Sequence, residues 1–502
     1  MARMAHLLRS IRNGDSNRLR AIRSTGWVAG AGVFEQALRF GRNMILARLL
    51  APEAFGRMAI VFACYGATEL FTGVALAPAV IHDRRGHEPA YLNAAWWLSV
   101  LRGVLVYLAA IPLCPLIADW YNRPDLVPLL RIVFASILLR AFTSPVLYSR
   151  AKALTFRDLV LVQAGGSVVG VAVALLLAAR SPSALALAAG HVTEDATRLI
   201  LSHLICPFRP RLRIDRACLW SMLRYTRRMV GMSVFTFIFL RTDTFVLGKT
   251  VSGEQLGYYT MAAGLAVIPV TLVTRLFGQL LTPTFAILQN DAVKMRTALG
   301  EVVALVACIA APLACAALFF GRALLNLVYG QAYGSAALPF GLLSVAAVLR
   351  ICGLPMVSYY FAVGKPQLNR SFTVLRAAVL AAAIYPLVRR YGVTGGAVAV
   401  LFATAVACVV QLHTLKRTLG IHATELLRRF AGGAVFALWI PAVWTVARIA
   451  WGGSDVWHVV WCAIGCVLSY GFAAPYVGRH LVARLQPTAV TAEAEHTAGA
   501  AS

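Results

Sequence analysis

ILARLLAPEAFGRMAI (Ile45–Ile60) closes one apolar run, turns, and opens another, and its outline returns as VLGKTVSGEQLGYYTM (Val246–Met261). In that register Leu46 meets Leu247, Arg48 meets Lys249, Glu53 meets Glu254, Phe55 meets Leu256 and Gly56 meets Gly257. Identities are few, but the shared event is specific. A hydrophobic segment ends in a cation, a short turn carries Glu, and an apolar residue followed by Gly starts the next hydrophobic segment. The chain reads as a duplicated unit, so what surrounds each copy decides the fold.

Both copies sit in unusually apolar surroundings. Of 502 residues, 60% are apolar and 13% charged, with a mean hydropathy of +0.73; an ordinary soluble domain is about 45–50% apolar. Runs of about 20 apolar residues cross a bilayer core of roughly 30 Å, and such runs recur from residue 26 to residue 478. The estimated spans are 26–49, 56–81, 91–118, 128–148, 158–179, 184–206, 229–248, 256–284, 298–320, 335–363, 371–388, 393–415, 430–449 and 456–478. None shows the period-two alternation of barrel strands, so they read as helices. The expected fold class is an all-α integral membrane protein of about 14 transmembrane helices. Connections are mostly about 5–15 residues, and none is long enough for a catalytic domain.

Six spans separate the two copies of the opening phrase. Residues 26–206 and 229–415 are therefore expected to be two six-helix bundles in parallel repeat, related by a pseudo-two-fold axis along the membrane normal. A weaker echo agrees: AKALTFRDLVL (151–161) and GKPQLNRSFTVL (364–375) both place cations between the fourth and fifth spans of their half. The remaining pieces are a basic N-terminus (1–25), a basic linker (207–228), an appended helix pair (430–478) and a tail (480–502) whose small polar residues predict disorder.

The net charge of +27 follows orientation more closely than it suggests nucleic acid, which is not an expected partner. With odd-numbered connections outside and both termini inside, the inside holds roughly 29 Lys/Arg and the outside roughly 10. The inside set includes Arg9, Arg12, Arg18 and Arg20 near the start, and Arg209, Arg211, Arg213 and Arg216 in RPRLRIDR. Those clusters also suit anionic lipid headgroups. The ten cysteines are scattered without a C-x-x-C pair. Cys462 and Cys466 lie one turn apart, yet no His or acid completes a ligand set, so neither a metal nor a disulfide framework is expected.

The chemistry lies in charges within the spans. Arg39, Arg42, Arg102, Arg140, Arg198, Arg241, Arg275 and Arg350 fall there, with the acids Glu35, Glu69, Glu194, Asp195 and Asp243. Each costs about 2.5–3.5 kcal/mol near a helix centre on the insertion scale, so each should face a wet cavity or a partner. Helical spacing offers two internal pairings, Glu35 with Arg39 and Glu194 or Asp195 with Arg198. Arg140, Arg275 and Arg350 have no acid within a helical turn. Surplus guanidinium groups match phosphate oxygens bidentately and stay charged, which predicts a cavity for anionic cargo.

The phrases ARLLAPEAFG (47–56) and RTDTFVLGKTVSGEQLGYY (241–259) resemble the polysaccharide transporter family. That family contains O-antigen and exopolysaccharide flippases, within the multidrug/oligosaccharidyl-lipid/polysaccharide exporter superfamily. The resemblance implies a flippase for oligosaccharide carried on polyprenyl diphosphate, in the bacterial inner (plasma) membrane, with both termini cytoplasmic. It implies a cavity lined by the first, second, seventh and eighth spans, which opens alternately to each side. Candidate substrate-binding cations are Arg39, Arg42, Arg241, Arg275, Arg140 and Arg350. Glu69, Asp243 and Glu35 are candidates for ion coupling, through a proton or sodium ion. No catalytic residue, metal or organic cofactor is expected. Partners would be the lipid-linked oligosaccharide, membrane lipids, and a polysaccharide polymerase with glycosyltransferases.

Two other readings compete. A multidrug/ion antiporter of the same superfamily needs a cavity dominated by acids, where this chain offers cations. A membrane-bound polymerase or glycosyltransferase needs catalytic groups in sizeable external loops, and the close acids Asp119 and Asp125 share one short loop. A phosphate loop at GKT (248–250) fails because Asp243 stands where that motif needs Gly. The arginines are too irregular for the rings of a channel.

Overall fold

The computed structural model describes residues 17–72, 76–153, 155–212, 215–450 and 455–485. Its side-chain description begins at residue 30 and leaves out 70–77, 225–233, 275–276, 279–280, 450 and those beyond 475. The described residues are helical, with no strand. In chain order the helices are α1 (Asn17–Leu49), α2 (Pro52–Thr72), α3 (Leu76–His82), α4 (Pro89–Tyr121), α5 (Leu126–Ala141) and α6 (Val146–Lys152). Next come α7 (Phe156–Arg180), α8 (Ala184–Ile205), α9 (Arg216–Thr250), α10 (Gly253–Ile287), α11 (Ala292–Phe319) and α12 (Gly321–Tyr329). A 3-10 turn (Gln331–Ala336) leads to α13 (Ala337–Ala362), α14 (Pro366–Leu419), α15 (Ala423–Ala434), α16 (Trp439–Ala450) and α17 (Asp455–Leu485). Among the described residues, 8 segments are long and apolar enough to cross a membrane, or 9 with the bent pair α5 and α6. The protein is an all-helical, multi-pass membrane protein.

Several spans break where the sequence suggested continuity. The estimated span 128–148 is α5 and α6 meeting at a 60° bend. Pro145 lacks an N–H and pushes Ser144 away from helical backbone. The bend is tied to the C-terminal end of α8: the Ser144 N–H donates to Ser202 Oγ at 3.1 Å, and Ser144 Oγ donates to the carbonyl of Cys206, just past that helix, at 2.8 Å. The estimated span 56–81 is divided between α2 and α3, and 430–449 runs through α15, a 3-10 turn (Val435–Leu438) and α16. Within the 54 residues of α14, Gly392 takes φ 56°, which an L side chain rarely adopts, and splits it into two helices.

Three ends differ from expectation. α1 starts at Asn17 instead of residue 26, α9 at Arg216 instead of 229, and α17 runs to Leu485, past residue 480. Arg is a good helix former, so a basic flank need not end a helix. At about 1.5 Å per residue, the 35 residues of α9 outreach the bilayer core. Asp215 caps α9 by accepting the Ala217 N–H at 2.8 Å, and this backbone donor lowers the Asp215 pKa. Asp291 caps α11 likewise, and its pKa is lowered by the Lys294 backbone N–H and side chain. What remains of the basic linker is anchored to α4. The Asn93 amide donates to the Arg211 carbonyl at 2.8 Å and accepts its N–H at 2.8 Å, while Trp97 Nε1 donates to the same carbonyl at 2.8 Å.

The chain divides into two compact units, Met1–Met261 with Leu380–Gly396, and Ala262–Val379 with Ala397–Ser502. The division falls elsewhere than between 26–206 and 229–415, because α9 packs on α2, α4 and α3 of the first unit. In the first unit α2, α4, α5, α7 and α8 pack pairwise, and α4 turns exposed Leu105, Leu108 and Leu116 outward, as suits a lipid-facing surface. In the second unit Met295, Leu299 and Val303 of α11 meet Phe285, Tyr360 and Leu415. The C-terminal helices join the same unit through Phe320, Ile440, Val443 and Cys462, and Tyr470 donates to the Ile309 carbonyl at 3.0 Å.

Candidate functional site

The in-span charges of the first unit are held by a close seam between α7 and α8. A Cβ on Gly170 would lie 2.7 Å from the Gly190 carbonyl oxygen, and one on Gly190 would lie 2.8 Å from the Gly170 carbonyl oxygen. Such small residues let two membrane helices touch backbone to backbone. The seam buries Ser167, Glu194 and Asp195, which are 1%, 6% and 1% exposed. Arg198 pairs with Glu194 at 2.5 Å and Asp195 at 3.5 Å. Ser167 completes the set, accepting from Arg198 at 3.0 Å and donating to Glu194 at 3.0 Å. From α1, Arg39 reaches Glu194 at 3.6 Å. His191, one turn before Asp195 at 3.8 Å, stands edge-on to Phe62 and Tyr65.

The predicted pairing of Glu194 and Asp195 with Arg198 is present. Arg39 reaches across to α8, where helical spacing had offered Glu35; the half-buried Glu35 lies on the same helix. Arg140 on α5 does find an acid, from another helix: its guanidinium pairs with Glu69 of α2 and donates to Tyr65 Oη at 3.2 Å. Arg42 donates to Asn43 Oδ1 at 3.1 and 3.2 Å. Asp243 accepts from Tyr259 Oη at 2.9 Å and from the Thr244 N–H at 2.7 Å. Arg241 lies against α2, where a Cβ on Gly66 would come within 3.9 Å of its Nε. Among the described residues no carboxylate lies within salt-bridge distance of Arg42, Arg102 or Arg241. Arg350 is half-buried in the second unit, within electrostatic reach of Arg376. The Arg275 side chain lies outside the described residues.

The opening phrase and its echo turn out to be partners. A Cβ on Gly56 would lie 1.9 Å from the Gly253 carbonyl oxygen, and one on Gly257 would lie 1.9 Å from the Pro52 carbonyl oxygen. Pro52 and Gly253 are equivalent in the repeat, as are Gly56 and Gly257, so the contact is reciprocal. Around it, Arg57 pairs with Glu53 at 2.8 Å and Asp125 at 2.9 Å, and Arg123 donates to the Val251 carbonyl at 3.1 Å. Gly56→Ala or Gly257→Ala should each cost ~2 kcal/mol, because overpacking against backbone cannot be relieved by a rotamer change. A lowered melting temperature of the purified variant checks this, and melting like the parent in both variants counts against the docking.

A family model described as "Polysaccharide biosynthesis protein" matches residues 45–338, beginning on the first residue of the quoted phrase. The chain belongs to that family. Among its relatives is the lipopolysaccharide biosynthesis protein WzxC of Escherichia coli (strain K12), 23% identical over 429 residues, 85% of each chain. Another is the succinoglycan biosynthesis transport protein ExoT of Rhizobium meliloti (strain 1021), 23% identical over 397 residues, 78% of each chain. The fold is shared with a solved structure of the lipid II flippase MurJ in an inward closed conformation, with a TM-score of 0.74 at 13% identity. That match covers 90% of this chain and 98% of the other.

Within the polysaccharide biosynthesis family match lie Glu69, Arg140, Arg241 and Asp243, together with groups the sequence reading gave no role: Arg102, Tyr148, Ser167 and His191. The Gly166–Gly170 spacing beside Ser167 was the available signal for the seam. Arg102 was visible as an in-span charge, but nothing in its own helix says what it faces.

Proposed function

We propose that the protein is a flippase, not an enzyme, which moves polyprenyl-diphosphate-linked oligosaccharide across the bacterial inner membrane for lipopolysaccharide or exopolysaccharide synthesis. The observation that carries this reading is an imbalance of in-membrane charge. Of the five in-span acids, Glu69, Glu194, Asp195 and Asp243 are each engaged by neighbouring side chains or backbone and Glu35 is left over. Three arginines, Arg42, Arg102 and Arg241, have no carboxylate partner among the described residues. Guanidinium groups left over in this way suit a diphosphate and do not suit a cationic drug. Family membership and the names of the relatives point the same way.

In this reading fourteen crossings enclose a cationic central cavity that opens to each side in turn, as parallel repeats do. Arg39, Arg42 and Arg241 contribute its cations. Asp243 or Glu69 carries a coupled proton or takes a sodium ion. Both termini face the cytoplasm, beside the polymerase and glycosyltransferases that share the lipid-linked cargo. Depleting the protein in its bacterial host should leave lipid-linked glycan on the inner leaflet. Glycosidase accessibility in inverted and right-side-out vesicles reads the sidedness. Unchanged sidedness after depletion overturns the reading.

A further inference from the structure

We propose that the connection ahead of α9, with the first turns of that helix, is a binding site for the headgroup of an anionic phospholipid in the surrounding membrane. Arg209 and Arg211 on the connection and Arg216 and Arg224 on α9 are its cations, and Leu212 and Trp220 are its apolar contacts. All six side chains are exposed, Leu212 at 88% and Trp220 at 66%.

The level of this patch is set by α4, which is long and apolar enough to cross a membrane. Trp97, Leu101, Leu105 and Leu108 recur at helical spacing and share one face of it. The three leucines are 59%, 58% and 59% exposed, a stripe suited to acyl chains. Trp97 ends the stripe, about 6 Å along the axis from Leu101, and its Nε1 donates to the Arg211 carbonyl. The Asn93 amide donates to the same carbonyl and accepts the Arg211 N–H. The Arg211 backbone is thereby fixed where acyl chains give way to headgroups. The start of α9 is seated with the same sense. Cys218 and Met222 are buried against Ala79, Tyr91 and Ala95, so the opposite face turns Arg216, Trp220, Leu223 and Arg224 outward.

The charge is one-sided. From Pro207 to Arg224 the chain carries five arginines and one acid, Asp215, and that acid is engaged as the α9 cap. Among the described residues no carboxylate lies within salt-bridge distance of Arg209, Arg211, Arg216 or Arg224. The neighbouring turn offers no spare acid either: Asp83 and Glu88 both face Arg85, which itself reaches Ser221 Oγ of α9 at 3.4 Å. Guanidinium forks match phosphate oxygens, and clusters of about four to eight cations beside a membrane helix hold anionic headgroups. An acidic soluble protein would answer the arginines but offers no acyl surface to Leu212 and Trp220. A phospholipid with net negative charge answers both.

The test is native mass spectrometry of the purified full-length protein in neutral detergent. It is titrated with dioleoyl phosphatidylglycerol, with zwitterionic dioleoyl phosphatidylcholine, and with glycerol 3-phosphate, which has the phosphate and no chains. Each cation near an anionic lipid surface is worth about fivefold. The double variant Arg211→Gln/Arg216→Gln should therefore weaken phosphatidylglycerol binding at least about tenfold and leave phosphatidylcholine binding unchanged. Asp215→Asn keeps a good helix cap and removes the one acid, so it should tighten phosphatidylglycerol binding several-fold, a gain that misfolding cannot give. Preference for phosphatidylglycerol over both other probes supports the site. Equal binding of the two phospholipids overturns it, and so does equal binding of glycerol 3-phosphate. Full retention of phosphatidylglycerol by a double variant that melts like the parent also overturns it, as does an Asp215→Asn protein that binds no tighter. The site does not depend on the flippase reading: it fails in a lipid titration, whereas that reading fails in the sidedness of accumulated glycan.

Discussion

Arg241→Gln is expected to cut export of lipid-linked oligosaccharide at least about a hundredfold, which is ~2.7 kcal/mol, while the protein still reaches the membrane. Losing one arm of a desolvated charge-assisted contact costs about 2–5 kcal/mol. Arg241 is the cation to test because no carboxylate pairs with it among the described residues, with Asp243 within electrostatic reach only. Its nearest acid, Asp243, already accepts from Tyr259 and Thr244, and no carboxylate lies within salt-bridge distance of the guanidinium among the described residues. Arg39→Gln should do less, since Arg39 already reaches Glu194. Arg241→Lys should fall between, because Lys keeps the charge and loses the planar fork. Surface glycan measured against membrane-fraction protein decides the matter; normal export from Arg241→Gln removes this residue from the cargo path.

Glu194→Ala should destabilise the fold by about 3–5 kcal/mol, the usual cost of removing one partner of a buried ion pair. Glu194 is where α1, α7 and α8 meet, through Arg39, Ser167 and Arg198. Without it the Arg198 guanidinium keeps one carboxylate, Asp195 at 3.5 Å, beside its hydrogen bond to Ser167. Replacing both Glu194 and Arg198 by Met should recover most of the loss, as apolar replacement of buried pairs often does. Thermal unfolding of the purified variants measures both effects. A Glu194→Ala protein that melts like the parent would show that the seam holds without its charges.

The helical membrane class was legible because a bilayer demands runs of apolar residues, and any such run shows in the sequence. Where helices end was less legible. Arg-rich stretches such as 216–228 look like connections on hydropathy, yet arginine favours helix, and α9 continues through them. Pairing by helical spacing was legible for Arg198, whose acids are three and four residues away. It was invisible for Arg140, whose acid lies on α2, and for Arg39, which bypasses Glu35 for α8. Spacing along one helix reports only that helix's own face. Which neighbouring face arrives opposite depends on packing between helices, as where α7 and α8 close on each other at Gly170 and Gly190, and no single span carries that information.

The reciprocal glycine contact has a bearing on ancestry. When position a of one copy touches position b of the other, and b in turn touches a, the two surfaces are what a symmetric homodimer presents to itself. Pro52 with Gly257 and Gly253 with Gly56 meet that condition. A forerunner carrying one copy of the phrase would have presented both sides of this contact to a twin.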